Sequence, residues 1–161
     1  MEKKLQDAFN EQIKNELYSG YLYLSMSACL DNAGLRGFAR WMKAQANEEY
    51  SHAMKLYDHM RERGARILLG AIDRPPADFS SALEVFQKTL AHEKQVTAMI
   101  TDLYNLANSL NDAAASIALQ WFVKEQVEEE STASGIVERL SMIKDKTDAM
   151  FILDTELGKR E

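Results

Sequence analysis

The sequence predicts an all-α chain, built as a four-helix bundle with a long crossover between the second and third helices and a short fifth helix. Three observations carry that prediction. Only two prolines and seven glycines interrupt 161 residues, so long helices meet few breakers. Four long segments repeat apolar residues at alternating steps of three and four, the spacing of one helix face. The connections between those segments are unequal in length, which restricts how the helices can pair.

The periodicity places helices at 5–33, 36–63, 81–109, 112–143 and 147–157. Gly34 and Gly64 close the first two, since glycine tolerates the left-handed conformation that ends a helix. Ser81 with Glu84 reads as a capping box opening the third helix, and Asn111 with Asp112 as caps for the fourth. Short links make the first and second helices one antiparallel hairpin, and the third and fourth another. Between the hairpins runs Gly64 to Ser80, kept extended by Pro75-Pro76. About 16 extended residues reach roughly 50 Å. A helix of about 28 residues is about 42 Å long, so this link can run the length of the bundle. Residues 1–161 therefore read as a single domain.

Composition narrows the partners. A net charge of −6 argues against a nucleic-acid surface and against anionic membranes, both of which need basic patches. The single Cys29 leaves no internal disulfide and suits a reducing cytosol, so a cytoplasmic location is expected. The opening Met1-Glu2-Lys3-Lys4-Leu5 has no apolar run of the kind a signal peptide carries. No stretch approaches the roughly 20 apolar residues of a membrane span.

Each of the four apolar stripes contains a glutamate. The first runs through Phe9, Ile13, Glu16, Gly20 and Tyr23; the second through Met42, Gln45, Glu49, His52 and Leu56. The third passes Phe86, Leu90, Glu93, Thr97 and Ile100, and the fourth Phe122, Gln126, Glu129, Ala133 and Ile136. With the crossover topology, all four glutamates fall at one height, roughly 18–26 Å from the same end. An ionised carboxylate removed from water costs several kcal/mol unless something compensates it. The stripes hold no Lys or Arg, so a multivalent cation is the economical counter-charge. Glu49 and His52, three residues apart, form the Glu-x-x-His element of carboxylate-bridged metal bundles. Mixed oxygen and imidazole donors suit iron, with manganese and zinc as competitors.

Each residue also has a plainer reading. A lone helical glutamate is usually solvated, and a lone core histidine is usually hydrogen-bonded rather than a ligand. Four glutamates at matched heights, with His52 beside one of them, outweigh that. Glu130 is expected to be solvated. Glu48, Glu125 and Glu128 flank the stripes and are either solvated or metal-binding. Tyr23, two turns after Glu16, is a core tyrosine or an electron donor to a nearby metal. Trp41 and Trp121 are expected to be packing residues, and His59 and His92 surface residues. The fifth helix, with Met150, Phe151, Leu153 and Leu157, is either a lid on the bundle or a contact between subunits.

The set Glu16…Tyr23, Glu48-Glu49-Tyr50-Ser51-His52, Glu93 and Glu125-Gln126-Val127-Glu128-Glu129 resembles the ferritins, in particular the non-haem bacterial and archaeal type. The resemblance spans essentially the whole chain, including Asn15-Glu16-Leu17-Tyr18-Ser19 and Gln120-Trp121-Phe122. It implies an iron-storage protein that oxidises Fe(II) with O2 or hydrogen peroxide at a di-iron ferroxidase centre. The ferric mineral would be stored inside a homo-oligomeric shell of about 24 subunits. In that scheme Glu16, Glu49 and His52 hold the first iron, and Glu49, Glu93 and Glu129 the second. Gln126 orients oxygen or water, and Tyr23 sits between the sites. Glu48, Glu125, Glu128 and Glu129 resemble a third iron site. Bacterioferritins carry a second Glu-x-x-His where this chain has Gln126 and Glu129, and a haem-binding methionine where it has Tyr50. No haem is therefore expected. Animal ferritins line a channel with acids at positions matching Ser116 and Leu119, which leaves the iron route open. The alternative is a non-storage di-iron oxidase or peroxidase of the rubrerythrin kind, which the missing rubredoxin-like cysteine cluster disfavours.

Overall fold

A computed structural model describes residues 1–143 and 146–160. Five helices appear in order: α1 (Lys3–Asn32), α2 (Arg36–Glu62), α3 (Ala82–Ser109), α4 (Ala113–Ile143) and α5 (Thr147–Leu157). The expected bundle is present: α1 packs chiefly on α2, α3 on α4, and α1 joins the two hairpins through α3.

The helix ends follow from backbone hydrogen bonding. Gly34 (φ 80°) and Gly64 (φ 63°) both close helices in the left-handed conformation. After α1 the Gly34 and Leu35 N–H groups donate to Asp31 O and Leu30 O, which satisfies carbonyls the helix would leave open. Asn111, expected to cap α4, instead closes α3. Its φ is 54°, a conformation asparagine tolerates better than other non-glycine residues. Asp112 caps α4 by accepting from the Ala115 N–H at 3.0 Å, and it also takes both guanidinium nitrogens of Arg63. The capping box at α3 is shifted. Ser81 Oγ accepts from the Glu84 N–H, but the Glu84 carboxylate reaches back to Ser80 rather than to Ser81.

The crossover runs beside α1 along most of its length. Leu68 N–H donates to Asn10 Oδ1 (2.9 Å) and Asn10 Nδ2 to Arg66 O (3.2 Å) near one end. Ser25 Oγ donates to Pro76 O (2.6 Å) near the other. Side chains of α1 thus satisfy a strand-like segment that has no partner strand.

Two apolar clusters fill the bundle. One gathers Phe38, Trp41, Met42, Phe86, Leu140 and Leu153. The other gathers Phe9, Leu56, Met60, Ile100, Leu119 and Phe122. Between them the interior is polar, and that interruption positions the site.

Helix α5 caps the first cluster through Leu153, which is buried, while Phe151 and Ile152 stay exposed. It therefore serves as a lid and still presents an uncovered apolar face. Its attachment depends on Gly37. The Phe38 N–H donates to Asp154 Oδ1 at 2.9 Å, and a Cβ at Gly37 would lie 1.7 Å from Asp154 O. Gly37→Ala is expected to detach the C-terminal part of α5 while the bundle stays helical. Limited proteolysis should then remove the α5 segment faster than it does from the parent protein.

Candidate metal centre

The polar layer begins with side chains that the stripes force inward. Glu16, Glu49, Glu93 and Glu129 are all buried, the first three 1–2 % exposed. Each comes from a different helix, as their stripe positions require. Close approach of α1 to α2 is possible because residue 20 is glycine. A Cβ there would sit 3.0 Å from Ala46 O and 3.5 Å from Glu49 Cβ. One turn away, Glu16 meets Glu49.

Glu16, Glu49 and His52 offer ligand atoms that all lie within 4.8 Å of one another. His52 Nδ1 is 3.3 Å from Glu49 Oε2. Gln12 donates to Glu16 Oε1 at 2.8 Å, whereas Glu16 Oε2 is buried with no partner. A buried carboxylate oxygen without a hydrogen bond costs about 1–3 kcal/mol or more, and a cation at this point would remove that cost. The donor set fits iron on this observation.

A second group, Glu48, His52, Glu125 and Glu129, also converges within 4.8 Å. It overlaps the acids expected for a third site, but His52 joins it. Glu128 is exposed and lines the adjoining cleft. Glu93 belongs to neither group. Its carboxylate accepts from Tyr23 OH and, at 3.1 Å, from Gln126 Nε2. Glu49 and Glu129 are bridged instead by Gln45, whose Nε2 lies 3.0 Å from Glu49 Oε1 and 2.9 Å from Glu129 Oε2.

Burial sets the protonation of this layer. It raises the Glu16 carboxyl to about 8, with the Glu49 charge adding to it. Glu49 also rises to about 8, through burial and then Glu93. Glu129 reaches about 8 through burial, Glu93 and Glu49. Glu93 is raised by burial, and the Tyr23 phenol well above its usual value by burial and Glu93. Without metal, the layer therefore keeps protons at neutral pH. Metal binding has to displace them.

The surroundings hold several departures from the sequence expectation. Trp121 packs edge-on to Phe122 at 4.9 Å, as expected, but at the bundle surface. It is 37 % exposed, stands edge-on to His52 at 5.3 Å, and carries the Lys55 ammonium over its ring. Trp41 is buried as expected. Glu130 is half-buried rather than solvated and accepts from Thr97 Oγ1 at 2.6 Å. His59 and His92 are half-buried too. His59 stacks on Phe9 at 5.4 Å, while His92 lies 2.8 Å from Ser19 Oγ and edge-on to Tyr23. Burial lowers His92 to about 4, so its ring is neutral. Both histidines flank the stripes, where aromatic neighbours cover them. Gln45 and Gln12 stood in or beside the stripes with no role assigned. Their only sequence signal is a glutamine four residues before a buried glutamate.

The family model described as a ferritin-like domain matches residues 6–143. A bacterial non-heme ferritin from Bacteroides fragilis is 41 % identical over 158 residues, 98 % of each chain. One from Staphylococcus saprophyticus is 39 % identical over 160 residues, covering 99 % of this chain and 96 % of that one. Among solved structures, an open pore ferritin from the archaeon Archaeoglobus fulgidus superposes with a TM-score of 0.99 at 44 % identity. That match covers 100 % of this chain and 98 % of the other.

Proposed function

From the premise that the chain belongs to the ferritin family, we propose that it stores iron and that its buried polar layer is the ferroxidase centre that oxidises Fe(II). One observation carries the assignment: four buried carboxyls, one from each long helix, share one layer, three of them converge with His52, and Glu16 Oε2 lacks any partner.

Fe(II) is the substrate. Glu16, Glu49 and His52 take the first ion. Glu49, Glu93 and Glu129 take the second once Gln45 releases Glu49 and Glu129. Gln126, already directed at Glu93, orients oxygen or water there. Two Fe(II) supply two electrons. O2 with two protons then leaves as hydrogen peroxide, or hydrogen peroxide with two protons leaves as water. Tyr23, bonded to Glu93, orients that carboxylate toward the second ion. The protein's share of the catalysis is charge neutralisation and positioning. Glu48, Glu125, Glu128 and Glu129 form the third site, through which iron leaves the centre for storage.

The storage compartment is a homo-oligomeric shell of about 24 subunits in the cytoplasm. The exposed Phe151 and Ile152 of α5 give it an apolar contact. Tyr50 lies exposed on α2 and offers no thioether ligand, so the shell is haem-free. The net charge of −6 disfavours nucleic acid and anionic membrane as partners, and no described helix is long and apolar enough to cross a membrane.

Size-exclusion chromatography with and without added Fe(II) tests this reading. The expected result is a particle of several hundred kilodaltons that takes up far more iron than its binding sites and turns rust-coloured. A small dimer that oxidises iron without retaining it would support a rubrerythrin-like oxidase instead.

A further inference from the structure

Beyond the end of α5 the chain turns back toward the acidic cleft beside the polar layer. That cleft, about 370 Å³ in volume, is lined by Trp41, Glu48, Glu125, Glu128, Glu129 and Arg160, among others. Among the described residues that line it, Arg160 is the only cation. One guanidinium nitrogen pairs with Glu48 Oε2. The other donates to Gln45 Oε1 at 2.7 Å, and the guanidinium carbon stands 4.4 Å from the centre of the Trp41 ring.

Placement of this side chain is not accidental to a loose tail. Asp154 and Gly158 hold the end of α5 against α2 through the Phe38 N–H and the Arg40 guanidinium. Arg139 pairs with Glu156 on the other side. The pair itself remains partly open to water, with the Arg160 and Glu48 side chains 26 % and 35 % exposed. A partly hydrated pair of this kind exchanges readily.

The contact with Gln45 matters most. With its oxygen held by Arg160, the Gln45 amide has only its nitrogen to turn inward, and that nitrogen bridges Glu49 and Glu129. One guanidinium thus touches the outer acids directly and the inner carboxyls through a single amide.

We propose that Arg160 is a tethered counter-cation that occupies the outer acidic site in place of metal and, through Gln45, latches the inner carboxyls. Metal arriving at Glu48, Glu125 and Glu129 displaces the guanidinium. Gln45 is then free to turn, and Glu49 and Glu129 become available as ligands. Arg160 is a positioning residue: it touches no reacting atom. This inference rests on the proposed reading of the acids as metal sites.

Tb(III) is redox-inert, and nearby tryptophan sensitises its luminescence, so titration of the assembled metal-free protein reads outer-site affinity without turnover. If Arg160 is docked in about nine molecules of ten, Arg160→Gln should tighten Tb(III) binding about tenfold, because a competitor's occupancy lowers apparent affinity by that fraction. Arg160→Lys, which keeps the charge and loses the fork, should fall between. Lys159→Gln removes a neighbouring exposed cation and should change affinity by less than about twofold. A crystal of the Tb(III)-loaded parent protein should show Arg160 withdrawn from Glu48. Unchanged or weaker binding in Arg160→Gln, an equal gain in Lys159→Gln, or a loaded crystal with the Arg160–Glu48 pair intact would each overturn the proposal. If the parent protein and every variant fail to bind Tb(III), the metal-site reading falls and takes this inference with it.

Discussion

Replacing Glu49 and His52 together with alanine is expected to abolish fast Fe(II) oxidation while the bundle stays folded. Both residues belong to the converging group that includes Glu16, and His52 also belongs to the second group. Removing supporting contacts around a metal typically costs 10–100-fold in affinity or activity. Removing two direct donors should therefore cost at least about 100-fold in initial rate. The fold survives because neither side chain contributes to the apolar clusters that flank the layer. A stopped-flow measurement of initial oxidation rate, with circular dichroism as the folding control, decides it. Parent-like rates in a folded double variant would refute the assignment. Glu49→Gln alone keeps the packing and can still accept from Gln45, so it separates loss of ligation from loss of volume.

The second large effect is a fall in the stability of the metal-free protein as pH rises. Glu16, Glu49 and Glu129 have a reference value of 4.5 and sit at about 8 in the fold. Below the lower value, folded and unfolded chains are both protonated, and the stabilising contribution is complete. Between the two values the folded chain holds protons that the unfolded chain has released. Each such group then removes about 1.4 kcal/mol of stability per pH unit. Above about pH 8 the loss is complete. His92 acts in the opposite direction, since its folded value is near 4 against a reference of 6.5. It adds stability as pH rises through that interval, and His59, also lowered by burial, acts the same way, but two histidines do not offset three carboxyls. The Tm of metal-free protein should therefore drop between about pH 5 and about pH 8, and Glu129→Gln should flatten the slope. Saturating Zn(II) should raise Tm more at the higher pH, where fewer protons must be displaced. A Tm that climbs steadily across this range would show that the carboxyls are ionised without metal.

Helix phase was the legible part of the sequence. Long helices with few breakers fix which residues face inward, and Glu16, Glu49, Glu93 and Glu129 are buried where their stripes put them. The crossover was legible too, because Pro75-Pro76 and the reach of an extended chain allow little else. Details that depend on rotamers were not. Glu84 reaches Ser80 rather than Ser81, a choice between adjacent donors. Glu93 is engaged by Tyr23 and Gln126, from two other helices. Asn111 is a good residue at either end of a helix, so only the backbone decides which helix it serves. Arg160 meets Gln45 and Glu48 across 115 and 112 positions. No local pattern announces such a contact. It depends on how α5 docks against Gly37.

Anomalous scattering at the iron edge from a crystal soaked with Fe(II) without oxygen tests the central claim most directly. Strong peaks should lie inside the bundle, one among Glu16, Glu49 and His52 and another beside Glu129. Peaks confined to the outer surface, or an interior with none at saturating Fe(II), would contradict it.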